Sequence, residues 1–581
     1  MKMFKRLLAV ILVISMILGI TACSNGANPA DIQPKDTAYE TVVKGHNGDV
    51  KIKLTLENNS IKFIEVVEHN ETENLGKFAF DELIPQIIEN QSLKVDTIAG
   101  ATVSSNALLD GLKEIISANA DLDDFMKDIA VEEGQTIEKT VDVLVVGAGG
   151  AGLSAAVEAS KAGAKTLVIE KMPKVGGNTA ICSGNVYATG SEVQNELGLT
   201  DNGTVDELTK FFMDQADGRA NEELIQLVSE NSGQTVDWLS KEIGVKFKHR
   251  EPGASHRSLI SETSGVGITD LLSEKALSLG AEIMVNTAAT ELIAENGKVV
   301  GVKAKNGNND VIIHAKSVVL ATGGYDGSDE SKALYAPGSV GHHTFSSPGN
   351  VGDAIEMVKP LDGKILLKGG LSGIHLVGSQ ALNSPLSPLR MINHGIGVTD
   401  LGYRYANESS KSAFDYYNPM VRTGRKQFFN IVDSTIPNEL LDQAVAENEA
   451  YKADTVEELA RLAGIPEYTL MVTIEEYNEA CENGTDKDFG KNKEDMIPLV
   501  KAPFYAVKIT PNTNGSFGGL VTDLETQVLT NSNEPIPGLY AAGAVANSEF
   551  FYLRYPVSGS SLVMGMTLGR IAGTNAALNA K

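Results

Sequence analysis

Between Val141 and Glu170 the chain carries the residue types that hold a dinucleotide. Val143-Leu144-Val145-Val146 reads as a buried strand. Gly147-Ala148-Gly149-Gly150-Ala151-Gly152 follows, and Leu153 to Ala162 reads as a helix. Gly147, Gly149 and Gly152 fit G-x-G-x-x-G, and Ala151 inside the turn is assigned to the same site. The first glycine permits a tight turn, the second lets a pyrophosphate touch the backbone, and the third lets helix pack on strand. A second strand, Lys165 to Ile169, ends on Glu170, an acid placed to hold ribose hydroxyls. A second phosphate site is legible upstream. Gly100-Ala101-Thr102 sits where a loop enters a helix, because Leu108, Leu109, Leu112, Ile115 and Ile116 recur at helical spacing, with Ser105 as the expected N-cap. A helix start offers free N–H groups and the positive end of a dipole to a phosphate.

The elements around these sites set the domain plan. Lys2, Lys5 and Arg6 precede an apolar stretch, Leu7 to Ile20, which ends Ile20-Thr21-Ala22-Cys23. That order resembles a bacterial lipoprotein signal, 1–22, cleaved before a lipidated Cys23. A polar tether, 23–40, follows. Residues 48–69 alternate apolar and polar around Asn58-Asn59, which predicts a β-hairpin, and Phe78 to Ile88 reads as a helix. These belong to a small α+β unit over 41–120. A net charge of −26 repels phosphate backbones and excludes nucleic acid as a partner. The three cysteines, Cys23, Cys182 and Cys481, are too far apart for a zinc or iron–sulfur site, so no metal is expected.

Asp96, Gly100, Ala101 and Thr102 match the Asp-x-x-(Ser/Thr)-Gly-Ala-Thr pattern of the FMN-binding domains that carry flavin on a threonine. Ala99 stands where that family has a hydroxyl. The resemblance implies covalent FMN on Thr102, with Ser104 or Ser105 as substitutes only in its absence, and a flavin transferase as a partner. Lys171-Met172-Pro173-Lys174-Val175-Gly176-Gly177-Asn178-Thr179 and Ser183-Gly184 resemble the FAD-covering loop of succinate dehydrogenase and fumarate reductase flavoproteins. Val318 to Tyr325, Gly538 to Gly543, and Ser558-Gly559-Ser560-Ser561-Leu562 before a last helix resemble further segments of the flavocytochrome c type of fumarate reductase, urocanate reductases included. This implies non-covalent FAD at Gly177, Asn178, Thr179, Ser183, Gly184, Gly323, Asp353, Gly543, Ser561 and Leu562. It also implies an α/β fold: a Rossmann-like FAD-binding domain (138–355 and 513–581) with an inserted α+β capping domain (356–512), behind the small FMN-binding domain.

The catalytic residues depart from that family. Gly402-Tyr403-Arg404-Tyr405-Ala406-Asn407-Glu408 matches its Gly-x-Arg-(aromatic)-x-Asn-Glu, and His375 falls where a histidine meets the substrate's acid group. The cap arginine that serves as proton donor four residues after the glutamate is replaced by Ser412, preceded by Lys411. The arginine that binds fumarate is displaced by two, to Arg554, and Asn512 to Gly519 replaces the paired-histidine segment. Arg554 is therefore the expected polariser of an acceptor carbonyl. Tyr555 and Tyr552 are candidate phenolic donors, with Lys411 and Arg390 as cap alternatives. These residues point to an extracytoplasmic, lipid-anchored reductase of an activated C=C bond in a urocanate-, acrylate- or cinnamate-like acceptor rather than fumarate, fed through FMN by a membrane-bound donor. A 3-ketosteroid dehydrogenase, a flavin oxidase and a non-enzymatic electron-transfer lipoprotein are the alternatives.

Overall fold

The computed structural model describes residues 37–581 except 47, 72–75, 99–100, 130–132, 252, 379–383, 392, 411, 413 and 553. The signal, Cys23, Ala99, Gly100 and Lys411 thus lie outside the described residues. The chain divides into two compact units, Met1–Ala130 and Val131–Lys581.

The first unit is an antiparallel sheet of β1 (Thr37–Lys44), β2 (Asp49–Glu57) and β3 (Ser60–Glu68) with helices α1 (Gly76–Asn90) and α2 (Thr102–Asn119). The hairpin read at 48–69 is β2–β3. It gains a third strand, because β1 starts inside the stretch read as tether and pairs with β2 from Thr37↔Leu56 to Lys44↔Asp49. Alternation along β2 buries Val50, Ile52 and Leu54 against Leu108, Leu112 and Ile116 of α2. Each such aliphatic side chain contributes roughly 1.5–3 kcal/mol of burial. The N-cap of α2 is Ala101, not Ser105, and it has no side-chain cap bond. The Ser105 hydroxyl instead accepts the Ile98 N–H at 3.1 Å, bracing the loop ahead of the helix.

In the second unit β4 (Thr136–Val146) lies at the centre of an eight-stranded sheet, parallel to both β5 (Thr166–Ile169) and β6 (Asn309–Leu320). Its last four residues, Val143 to Val146, are apolar without a break because both faces are covered there. Val143 and Val145 pack in one core with α3 (Gly150–Lys161), while Leu144 and Val146 pack in another on the opposite face. A six-stranded sheet holds β7 (His343–Thr344), β8 (Ile365–Val377) and β9 (Phe504–Leu520). It is covered in part by α5 (Phe414–Thr423). β9 runs unbroken through 512–513, so the boundary read there between cap and FAD region falls within one strand. β10 (Pro535–Ala541) returns to the first sheet beside β6, and α6 (Ser560–Asn579) closes the chain.

Candidate active site

A cavity of about 630 Å3 opens at the ends of β4, β5, β6 and β10. Gly147 turns the chain there at φ +104°, and a Cβ on it would lie 2.4 Å from the Ala321 carbonyl oxygen. Gly152 sits behind the wall, where a Cβ would come within 1.9 Å of the Gly147 carbonyl oxygen. Gly149 and Ala151 face the cavity. The Gly150 N–H donates to Thr179 Oγ1 at 3.2 Å, which fastens the turn to the short helix α4 (Gly177–Ile181). Gly177, Asn178, Thr179 and Ser183 line the cavity; Gly184 does not, and its carbonyl accepts the Ser261 N–H at 3.0 Å. Asn178 is locked from both ends, accepting the Ser347 N–H at 2.6 Å and donating to Ser346 at 3.1 Å.

The Glu170 carboxylate accepts the N–H groups of Ala148 at 2.8 Å and Met172 at 2.9 Å. Burial pushes its pKa up against the pull of those donors. Asp353, also on the wall, is paired with Lys171 at 2.5 Å. Gly323, Gly543, Ser561 and Leu562 complete the positions expected from sequence. Three further lining atoms, Thr322 Oγ1, Asn350 Nδ2 and Asn185 Oδ1, are buried with no hydrogen-bond partner among the described residues. A buried polar atom left unpaired costs about 1–3 kcal/mol, so three around one cavity fit a polar ligand such as FAD.

The same cavity is walled at β7–β8–β9 and α5 by Phe345, Ser372, Ile374, Phe414, Asn514 and Phe517. Strand alternation decides what faces it. Ser372 and Ile374 of β8 point in, which sends Gly373 and His375 the other way, towards α5. His375 is fully buried, its Nε2 donating to the Arg390 carbonyl at 2.7 Å and its ring 4.7 Å from that of Tyr416. The expectation that His375 meets the substrate is thereby corrected. A bulge in the β8–β9 pairing, between Ser372↔Gly515 and Gly373↔Thr513, leaves Asn514 as the extra residue. The Ser372 hydroxyl donates to Asn514 Oδ1 at 2.6 Å.

Tyr555 lines the cavity, and its hydroxyl oxygen accepts the Ser561 N–H at 3.2 Å in the first turn of α6. Its ring packs on Phe414 at 4.9 Å and Phe551 at 5.6 Å, and burial raises its pKa. Arg554, expected to polarise substrate, is instead bound to Asp415 of α5, Nε to Oδ1 at 2.8 Å and Nη2 to Oδ2 at 3.0 Å. Arg554 is not among the described lining residues of the cavity. The Tyr552 hydroxyl accepts from Arg219 at 2.8 Å. Neither Arg390 nor Ser412 is among the described lining residues; the Ser412 carbonyl accepts the Asp415 N–H at the start of α5. Arg404 of the cap motif binds both Glu408 and Asp486, with all three side chains buried in the cap.

In the first unit Thr102 is exposed as the first residue of α2. Ser104 is buried, its hydroxyl donating to the Glu71 carboxylate, and Ser105 is buried and holds Ile98. Of the three hydroxyls, only that of Thr102 is presented to solvent.

Residues 142–562 match the family model described as an FAD binding domain. The chain belongs to that FAD-binding family. Residues 45–117 match a second model, an FMN-binding domain. The chain thus carries an FMN-binding domain ahead of an FAD-binding domain, and FAD and FMN are its cofactors. Among similar proteins is the NADH:acrylate oxidoreductase of Vibrio harveyi, 29% identical over 93% of this chain. The match spans 61% of that relative, so this chain covers about three-fifths of its length. The urocanate reductase of Eggerthella lenta is 28% identical over 93% of this chain and 92% of its own. A solved flavocytochrome c3 fumarate reductase in an open conformation superposes with a TM-score of 0.60 at 25% identity, over 84% of this chain and 86% of that one.

Sequence reading of this FAD-binding chain missed Phe345, Ser372, Ile374, Phe414 and Phe517. They come from four separate stretches of chain, Ser372 and Ile374 sharing β8. The replaced segment Asn512 to Gly519 was the one signal in the sequence for Asn514 and Phe517.

Proposed function

We propose that the protein reduces a C=C bond conjugated to a carbonyl in an enoate-like acceptor, with electrons entering through FMN held on Thr102. Bound FAD supplies a hydride to the β carbon of such an acceptor. The protein's residues must polarise the carbonyl, deliver a proton to the α carbon and keep water out. The observation that carries this reading is Tyr555, a phenol on the cavity wall whose hydroxyl oxygen takes the Ser561 N–H. Ser372 and Asn514, joined across the bulge, are placed to orient the carbonyl end. The similarity to acrylate and urocanate reductases supports the same reaction class.

The paired state of Arg554 and the inward-facing apolar side chains favour an acceptor with no second carboxylate, since a buried unpartnered charge is costly. Under anaerobic conditions the reduced protein should be reoxidised by activated alkenes, with fumarate at least ~100-fold less efficient than the best of them. Reoxidation by oxygen alone, with peroxide formed, would instead favour a flavin oxidase. The leader ending at Cys23 supports an extracytoplasmic, lipid-anchored enzyme that draws on a membrane-bound donor and is loaded by a flavin transferase. Cys23→Ala should release the protein from membranes or leave its precursor uncut; membrane retention with a cleaved N-terminus would contradict the anchor.

A further inference from the structure

Asp326 lies after β6, behind the Thr322-Gly323 turn that lines the cavity, and is fully buried. It is not itself among the described lining residues. Its Oδ2 accepts the Ser346 hydroxyl at 2.7 Å and the Thr513 hydroxyl at 2.9 Å, while its Oδ1 has no partner among the described residues. Ser346 Oγ in turn accepts from Asn178 Nδ2 at 3.1 Å. We propose that Asp326 is a positioning residue: through Ser346 it fixes the Asn178 amide so that its nitrogen presents a proton to the bound FAD. The proposal concerns the cofactor and does not depend on which acceptor is reduced.

The chain of donors runs one way. A hydroxyl carries a single proton, so the Ser346 proton is spent on Asp326 and Ser346 meets Asn178 only as an acceptor. That sets the amide: Nδ2 faces Ser346, and Oδ1 takes the Ser347 N–H at 2.6 Å. The choice matters to a ligand, because the amide nitrogen has a second proton to give and the amide oxygen has none. Without Asp326 the Ser346 hydroxyl is able to donate in either direction, and only the Ser347 N–H then holds the amide. Ser346 is also fixed from the sheet. Its N–H donates to Thr344 Oγ1 at 3.0 Å, and Thr344 Oγ1 lies 2.9 Å from Thr513 Oγ1, which closes a ring of contacts on the one carboxyl. The carboxyl serves as an acceptor rather than as a charge. Asp326 forms no ion pair among the described residues, and Lys332, the cation that acts on it, is taken up by Asp329 at 2.9 Å and the His342 carbonyl at 2.6 Å. Burial pushes the Asp326 pKa up against the pull of the two hydroxyls. Asn178 stands on the cavity wall in the first turn of α4. A donor at that place strengthens as FAD gains electrons and negative charge, which favours the reduced form.

The test is an anaerobic redox titration of the full-length protein with both flavins, the FMN of the other unit serving as internal reference. Ser346→Ala and Asp326→Leu should each lower the FAD midpoint potential by about a tenfold shift in its reduction equilibrium, or about 30 mV for two electrons. The FMN couple should not move, and FAD released on denaturation should match the native protein. In the double variant the two shifts should not add, since a single link is broken twice. Asp326→Asn keeps an acceptor oxygen for both hydroxyls and should hold the native potential. Should Asp326→Leu fail to fold, Ser346→Ala and Asp326→Asn decide the matter between them. A raised FAD potential in Asp326→Asn would show that the carboxyl acts by its charge. A native potential in Ser346→Ala, or additive shifts in the double variant, would show that Asp326 does not act through Ser346 and Asn178. Each of these results overturns the proposal and leaves the reading of acceptor reduction untouched.

Discussion

The Tyr555 hydroxyl, on the cavity wall, accepts a backbone N–H from the first turn of α6, and burial keeps its proton on. A raised phenol pKa extends the protonated, donating form to higher pH. The rate of acceptor reduction should therefore show no fall attributable to this group until above the ordinary phenol value of about 10. Tyr555→Phe should lower kcat about 100-fold with FAD content unchanged, within the usual range for loss of a general acid. Its neighbour behaves differently. Arg554 is an ion-paired, part-exposed side chain, and such pairs contribute about 0–1 kcal/mol. Arg554→Ala should cost less than ~10-fold in kcat/KM, measured by steady-state turnover; a loss beyond ~1000-fold would return Arg554 to the substrate. Thr102→Ala should abolish flavin fluorescence that survives denaturation, while FAD remains extractable. Ser104 and Ser105 should not take over, because both are buried and bonded.

At the scale of elements, the cap motif holds the cap together. Arg404 contacts Glu408 at 2.7 Å and Asp486 at 2.9 Å, with Lys491 buried 3.8 Å from Glu408, so two cations balance two carboxylates. Arg404→Ala leaves both acids buried without that partner, and a loss of about 3–5 kcal/mol in denaturant unfolding of this unit is expected. Arg404→Lys should recover only part of it, since a lysine cannot bond both acids in a planar fork. What the sequence made legible here follows from contiguity. The glycine turn, α4 and the start of α6 each place their functional residues within about ten positions, so spacing alone reveals them. The acceptor wall was not legible, because Phe345, Ile374 and Phe414 meet only through the pairing of β7 and β8 with β9 and the packing of α5. His375 shows the same limit. The 370–377 stretch of β8 is buried on both faces, so no polar alternation marks which side faces the cavity.

At the scale of the whole chain, two flavin-binding units lie on one polypeptide, and the proposed function assigns electron entry to one and acceptor chemistry to the other. Each flavin takes up two electrons, so the fully reduced protein stores four. The most direct measurement of that division is a product count. The protein is reduced completely under argon, freed of reductant, mixed with an excess of the preferred alkene, and the saturated product is measured by mass spectrometry. About two molecules of saturated product per native protein, and about one per Thr102→Ala protein, are expected. One molecule from each would show that FMN does not feed FAD, and no saturated product from either would contradict C=C reduction at this site.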